Sequence, residues 1–143
     1  MATNLTRAEA ITDNRNKKIE FFSDFVNSFA RTPFGNQLGR VTNEQSVTQS
    51  LKNILLTNLG ERPFQPFIGS SINAFLFEPN NEQYQTLLET YIDDAIRNNE
   101  PRVNVQEISV SLADEYSIQI NIVYNLINNQ TPLTFAFLLK RVR

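Results

Sequence analysis

The groups able to do chemistry in this chain are few in kind. It has no histidine and no cysteine, and fifteen Asp and Glu residues stand against thirteen Lys and Arg. The missing imidazole and thiol exclude ordinary zinc, haem and iron–sulfur sites and any Ser-His or Cys-His nucleophile. Carboxylates, Lys, Tyr, Ser and Thr remain. Paired carboxylates suggest glycoside hydrolysis, which sets two carboxyl groups roughly 5–10 Å apart and raises the pKa of one. The candidates are Glu61, Glu78, Glu100 and the neighbours Asp93 and Asp94. Adjacent helical residues point in different directions, so Asp93 and Asp94 make a poor pair. Glu61 and Glu100 have Arg62 and Arg102 close by, and a cation lowers a carboxylate pKa, the wrong direction for a general acid. There is no Trp to form a sugar platform. No catalytic residue, metal site or cofactor is expected.

A chain of 143 residues suggests one domain. Its composition, 41% hydrophobic and 20% charged, is ordinary for a globular fold, and its net charge of −2 gives no electrostatic case for nucleic acid or membrane binding. No apolar run approaches 18 residues, so no membrane-spanning helix is expected. The polar start, Met1-Ala2-Thr3-Asn4, does not read as a signal peptide. A cysteine-free chain fits a reducing compartment. Asn and Gln are abundant and offer hydrogen-bonding surface without charge.

The elements that position these groups are organised around Asn99-Glu100-Pro101-Arg102. Pro101 lacks a backbone N–H and pushes Glu100 out of the α region, so a helix must stop here. Arg97 suits the negative end of that helix; Glu100 does not unless a cation meets it. Arg102 is the nearest cation, and a Glu and an Arg on either side of a rigid proline make a fixed polar knuckle suited to docking. Upstream, residues 1–16 read as a polar, flexible arm. Ile19, Phe22, Val26 and Phe29, joined by Phe25, fall at near-helical spacing, yet so many aromatic and β-branched residues also suit an extended segment; the phenylalanines imply burial either way.

A helix with Val47, Leu51, Ile54 and Leu55 on one face follows, capped by Asn43 or Ser46 and closed by Gly60 at C′. The Pro63 and Pro66 stretch between Gly60 and Gly69 forbids a regular element and reads as a stiff loop pinned to the core by Phe64, Phe67 and Ile68. Ser70 or Ser71 caps a short helix through Ile72, Phe75 and Leu76, which Pro79-Asn80-Asn81 breaks. A long helix spans about Glu82 to Asn98, with Tyr84, Leu87, Leu88, Tyr91, Ile92, Ala95 and Ile96 inward and Glu82, Glu89, Asp93 and Asp94 on a solvated face. Three alternating runs complete the chain: Val103 to Leu112 with a bulge near Gln106-Glu107, Ile118 to Leu126, and Leu133 to Leu139, with turns at Asp114-Glu115 and Asn128-Asn129. The fold class is α+β, with helices on one face of a small antiparallel meander in the C-terminal half. The basic end, Lys140-Arg141-Val142-Arg143, serves either to protect an edge strand or to keep it soluble for a partner strand.

Gly60-x-Arg62-x-Phe64-x-Pro66-x-x-Gly69, a helix, Glu100-Pro101-Arg102 and a meander, in this order, resemble the sheath-initiator or baseplate wedge family of contractile tails, which extends to type VI secretion and is sometimes labelled lysozyme-like. The resemblance covers roughly residues 20–143, leaves out the arm, and implies one sheath-initiator-like domain over residues 17–143 with an extended segment around Phe22-Ser23-Asp24. It implies a structural, non-enzymatic protein of the virion tail baseplate, made in the host cytoplasm. By that resemblance Glu100, Pro101 and Arg102 dock on wedge core proteins. Leu133, Phe135, Phe137, Leu139 and Arg141 mark the edge that accepts a strand of the tail sheath protein, and the tail tube lies nearby. Copies form a ring only within the assembly. A lysozyme-like hydrolase and a plain wedge adaptor without strand exchange are the alternatives.

Overall fold

The computed structural model describes residues 19–32, 35, 37–75, 82–114 and 117–140. The expected arm over residues 1–16 lies outside them. The chain forms two compact units, Met1–Asn43 and Glu44–Arg143.

The first unit is built on a hairpin of β1 (Ser23–Phe25) and β2 (Arg40–Thr42), antiparallel with Asp24 opposite Val41. The helical spacing over residues 19–29 is not used. Main-chain bonds hold Ser23–Phe25 extended and close a turn after it: Val26 N–H donates to Gly39, Phe29 N–H to Val26 and Gly39 N–H to Ala30. The Asn43 side chain accepts from the N–H groups of Phe21 and Phe22 and donates to the Ile19 carbonyl. Phe21, Phe25 and Phe29 are more than half exposed, contrary to the burial their type suggests. Hydrogen bonds rather than apolar contacts fix this segment, and aromatic spacing is silent on such bonds.

The second unit carries the core. Helix α1 (Glu44–Leu56) buries Val47, Leu51, Ile54 and Leu55, as its period predicts. It begins at Glu44, so Ser46 is a buried interior residue and not a cap. It ends at Leu56, so Gly60 is not its C′ residue either. A short helix α2 (Ile72–Phe75) follows; the Pro79-Asn80-Asn81 break lies outside the described residues. Helix α3 (Glu82–Asn99) buries Tyr84, Leu88, Ile92, Ala95 and Ile96, while Leu87 and Tyr91 remain over 40% exposed at the margin of the stripe. The Tyr84 hydroxyl donates to the Phe75 carbonyl at 2.6 Å, which lets a phenol sit in the core.

Strands β3 (Val103–Asp114), β4 (Ser117–Leu126) and β5 (Asn129–Lys140) form an antiparallel meander in the order β3-β4-β5. The predicted bulge is present between Val105 and Glu107. The second turn is Ile127-Asn128, one residue earlier than the asparagine pair suggests. Ile118, Ile120, Ile122, Tyr124 and Leu126 of the central strand are buried on one face. There α3 packs along β3 and α1 packs on α3, and the Tyr124 and Thr48 hydroxyls meet at 2.9 Å. Ser109 and Ser111 on the opposite face are exposed. The fold is α+β, with the helices on one face of the meander.

Candidate functional site

Helix α3 runs into the Glu100 turn without a break in hydrogen bonding. Glu100 N–H donates to the Ile96 carbonyl at 2.8 Å, and Val103 N–H then donates to Glu100 at 3.2 Å. Pro101 is exposed at the apex. The cation that Glu100 requires is Arg102: its Nε and Nη2 meet the two carboxylate oxygens at 2.6 Å each. The knuckle is not a pair of surface charges, however. The Glu100 side chain is 3% exposed and that of Arg102 is 33% exposed. The carboxylate points into the unit, where the Ser50 hydroxyl of α1 donates to it. Burial alone would raise the Glu100 pKa. Hydrogen bonds from Arg102 and Ser50, together with the arginine charge, outweigh burial and hold it below the ordinary carboxylate value. Ser50 carries a signal that composition hides: it lies on the apolar face of α1, three residues after Val47 and four before Ile54.

The Gly60 to Gly69 loop is held at its neck. Gly60 N–H donates to Pro66 at 2.8 Å, Ser70 N–H to Thr57 at 2.8 Å, and the Ser70 hydroxyl to Leu55 at 2.7 Å. Gly60 has φ 82° and Gly69 has φ 138°, both left-handed and suited to glycine. The expected aromatic pegs face the other way: Phe64 is 97% and Phe67 is 87% exposed, and Ile68 is half-buried. Arg62 and Pro66 are also exposed. The neck's hydrogen bonds stiffen the loop, so the rings need no burial. Phe64→Ala and Phe67→Ala should each change unfolding stability by less than about 0.5 kcal/mol, read as an unchanged urea midpoint.

The third feature is the outer edge of β5, beyond which no strand pairs among the described residues. Its outward groups follow from ladder geometry. Val110 faces Ile120, yet its N–H turns away from β4 to Glu89. Val110 and Ile120 are therefore a pair that exchanges no hydrogen bonds. The alternation of an antiparallel ladder turns the main-chain groups of Ile120 toward β5, where it faces Phe137. Leu133, Phe135, Phe137 and Leu139 thus bond inward. The N–H and C=O groups of Thr134, Ala136, Leu138 and Lys140 point to the free edge. Pro132 shares their register, where a missing N–H costs no ladder bond. Phe135 and Leu139 are buried, whereas Leu133 and Phe137 are half-covered; Phe135 and Phe137 stack at 5.2 Å. Arg141 lies outside the described residues, as does Glu78. The knuckle, the loop and the β5 edge are separate features rather than one cluster.

Comparison with known proteins supplies the context. Residues 41–131 match the family model for baseplate wedge protein gp25. The baseplate wedge protein gp25 of Enterobacteria phage T4 is 28% identical over 111 residues, covering 77% of this chain and 83% of its own. A solved structure from Geobacter sulfurreducens, described as a tail lysozyme, has the same fold with a TM-score of 0.65 at 24% identity, covering 70% of this chain and 92% of its own. A chain of the anti-feeding prophage baseplate matches at a TM-score of 0.60 and 16% identity, covering 82% of this chain and 83% of its own. With the meander, the Glu-Pro-Arg turn and the glycine-bounded loop in place, the matched span covers most of the second unit. The chain belongs to the baseplate wedge protein gp25 family, and it is a structural protein of the contractile-tail baseplate.

Proposed function

We propose that this protein docks on the wedge core through its Glu100-Pro101-Arg102 turn and templates the first ring of the tail sheath by accepting a sheath strand at β5. The open, outward-bonding edge of β5 carries this reading. An added strand gains main-chain hydrogen bonds from Thr134, Ala136, Leu138 and Lys140. Its alternate side chains continue the apolar face that leaves Phe137 half-covered. The contact is directional and so repeats around a ring. At the turn, Glu100 is a positioning residue: its carboxylate fixes the guanidinium of Arg102, which together with Pro101 forms the part a partner can reach. The ion pair and lowered pKa of Glu100 run opposite to the needs of a general acid.

Ala136→Pro separates strand addition from folding. It removes one outward N–H at an edge position that tolerates proline. Purified wild type and variant are mixed with wedge and sheath subunits and imaged by electron microscopy. The variant is expected to keep its circular dichroism spectrum, join the wedge and fail to seed sheath. Normal sheath on Ala136→Pro baseplates would leave a plain wedge adaptor as the better reading.

A further inference from the structure

A three-stranded sheet has two edges, and the second one here is closed by a side chain. Glu89 belongs by sequence to the solvated face of α3. In the structure it is half-buried, and its Oε1 accepts the outward N–H of Val110 at 3.2 Å. That N–H is the group an incoming strand along β3 would bond. A cleft of about 310 Å³ lies between Glu89, Thr90, Asp93 and Arg97 of α3 and Val105 to Ile108 of β3. The bulge between Val105 and Glu107 falls within the cleft wall and interrupts the regular ladder there. Asp93 and Arg97 pair with each other at 2.7 Å across one helical turn. The β3 edge thus meets an incoming strand with an occupied donor and a bent backbone, both ways of blunting an edge.

We propose that Glu89 is the residue that makes sheet growth one-sided: it caps the β3 edge, so that a strand can add only at β5. The proposal deepens the strand-addition reading and rests on it for its purpose, but its physical content is separate. With both edges open, β5 of one copy could pair with β3 of the next. That contact is head-to-tail, so each copy leaves one edge open for the next and nothing in it stops growth at a dimer. A protein that must nucleate a ring only when assembled has reason to prevent this.

The test compares wild type, Glu89→Ala, Glu89→Asp and Glu89→Gln by amide hydrogen exchange and by sedimentation velocity over a range of concentrations. Glutamine keeps an acceptor oxygen at the same reach; aspartate falls a methylene short. In the alanine and aspartate variants the Val110 amide should exchange at least about tenfold faster, a change of about 1.4 kcal/mol in local opening. The amides of Ile120 and Ile122 on the central strand should be unchanged. Both variants should sediment as chains that lengthen with concentration, and Ala136→Pro added to either should abolish them. Glu89→Gln should behave as wild type. Unchanged exchange at Val110 would overturn the cap. Faster exchange without chain growth would overturn its role in limiting growth. A failure of Ala136→Pro to affect sheath assembly would count against strand addition by this protein, but would leave the Val110 result standing.

Discussion

Gly69→Ala is expected to lower the stability of the second unit by about 3 kcal/mol, on the order of 10 °C in unfolding midpoint. Two costs combine. At φ 138° the backbone is in a region that an L side chain rarely adopts. A Cβ built there would lie 2.6 Å from the Thr57 carbonyl oxygen and 3.1 Å from the Asn58 carbonyl atoms. These are backbone atoms, and the same Thr57 oxygen accepts the Ser70 N–H that closes the loop neck. Relief would require giving up that bond. Gly60→Ala is the internal control. Its φ of 82° is also left-handed, but nothing lies within 4 Å of the added carbon, so only the conformational cost of about 1–2 kcal/mol applies. Urea denaturation of both variants checks the difference. Equal losses would show that the Thr57 carbonyl yields without cost and that the loop neck is not rigid.

The contrast between these glycines also shows what the sequence could and could not convey. Their flanking positions mark the loop, but only the fold reveals that Gly69 touches backbone while Gly60 faces open space. Helices α1 and α3 were legible because their apolar stripes are long and repeat at the helical period. The meander and its bulge were legible because β4 alternates cleanly and β3 slips by one residue. Phe64 and Phe67 were misread because apolar type says little about where an individual ring must go; exposed apolar surface is common, and here hydrogen bonds rather than rings hold the loop. The burial of Phe21, Phe25 and Phe29 was misread for the same reason, whereas their spacing left helix and strand both open and the extended alternative is the one found at Ser23–Phe25. Glu89 was assigned to solvent by its place on α3, since no local pattern reveals that a strand edge lies within its reach. In the Glu100 turn, the proline stop and the need for Arg102 were readable from helix-end electrostatics. The inward direction of the carboxylate was not, because it depends on Ser50 half a hundred positions away.

That inward direction makes Arg102→Ala the second large effect, with an expected loss of about 3 kcal/mol at neutral pH. Removing the arginine side chain strands a carboxylate whose side chain is 3% exposed, leaving the Ser50 hydroxyl and the main-chain N–H of residue 102 to satisfy it. The pH dependence identifies the cause. In wild type the Glu100 pKa is lower folded than unfolded, so its contribution is fully present above the unfolded value, about 4.3. It is lost as pH falls through the folded pKa, because the unfolded chain binds the proton first. In Arg102→Ala the guanidinium's bonds and charge no longer offset burial, and the folded pKa rises relative to wild type. Acidification then stabilises the variant relative to wild type, and the two stability curves should converge toward pH 4. Glu100→Gln/Arg102→Ala has no group to titrate at this position and should recover most of the neutral-pH loss. Denaturant titrations of the three proteins between pH 4 and 8 decide the matter. A pH-independent gap between Arg102→Ala and wild type would mean lost packing of the arginine stem rather than a stranded charge. The same double variant is the proper probe of wedge docking, since it removes the guanidinium while sparing the fold. Failure to join the wedge then reports on the surface that Pro101 and Arg102 present, not on the core beneath it.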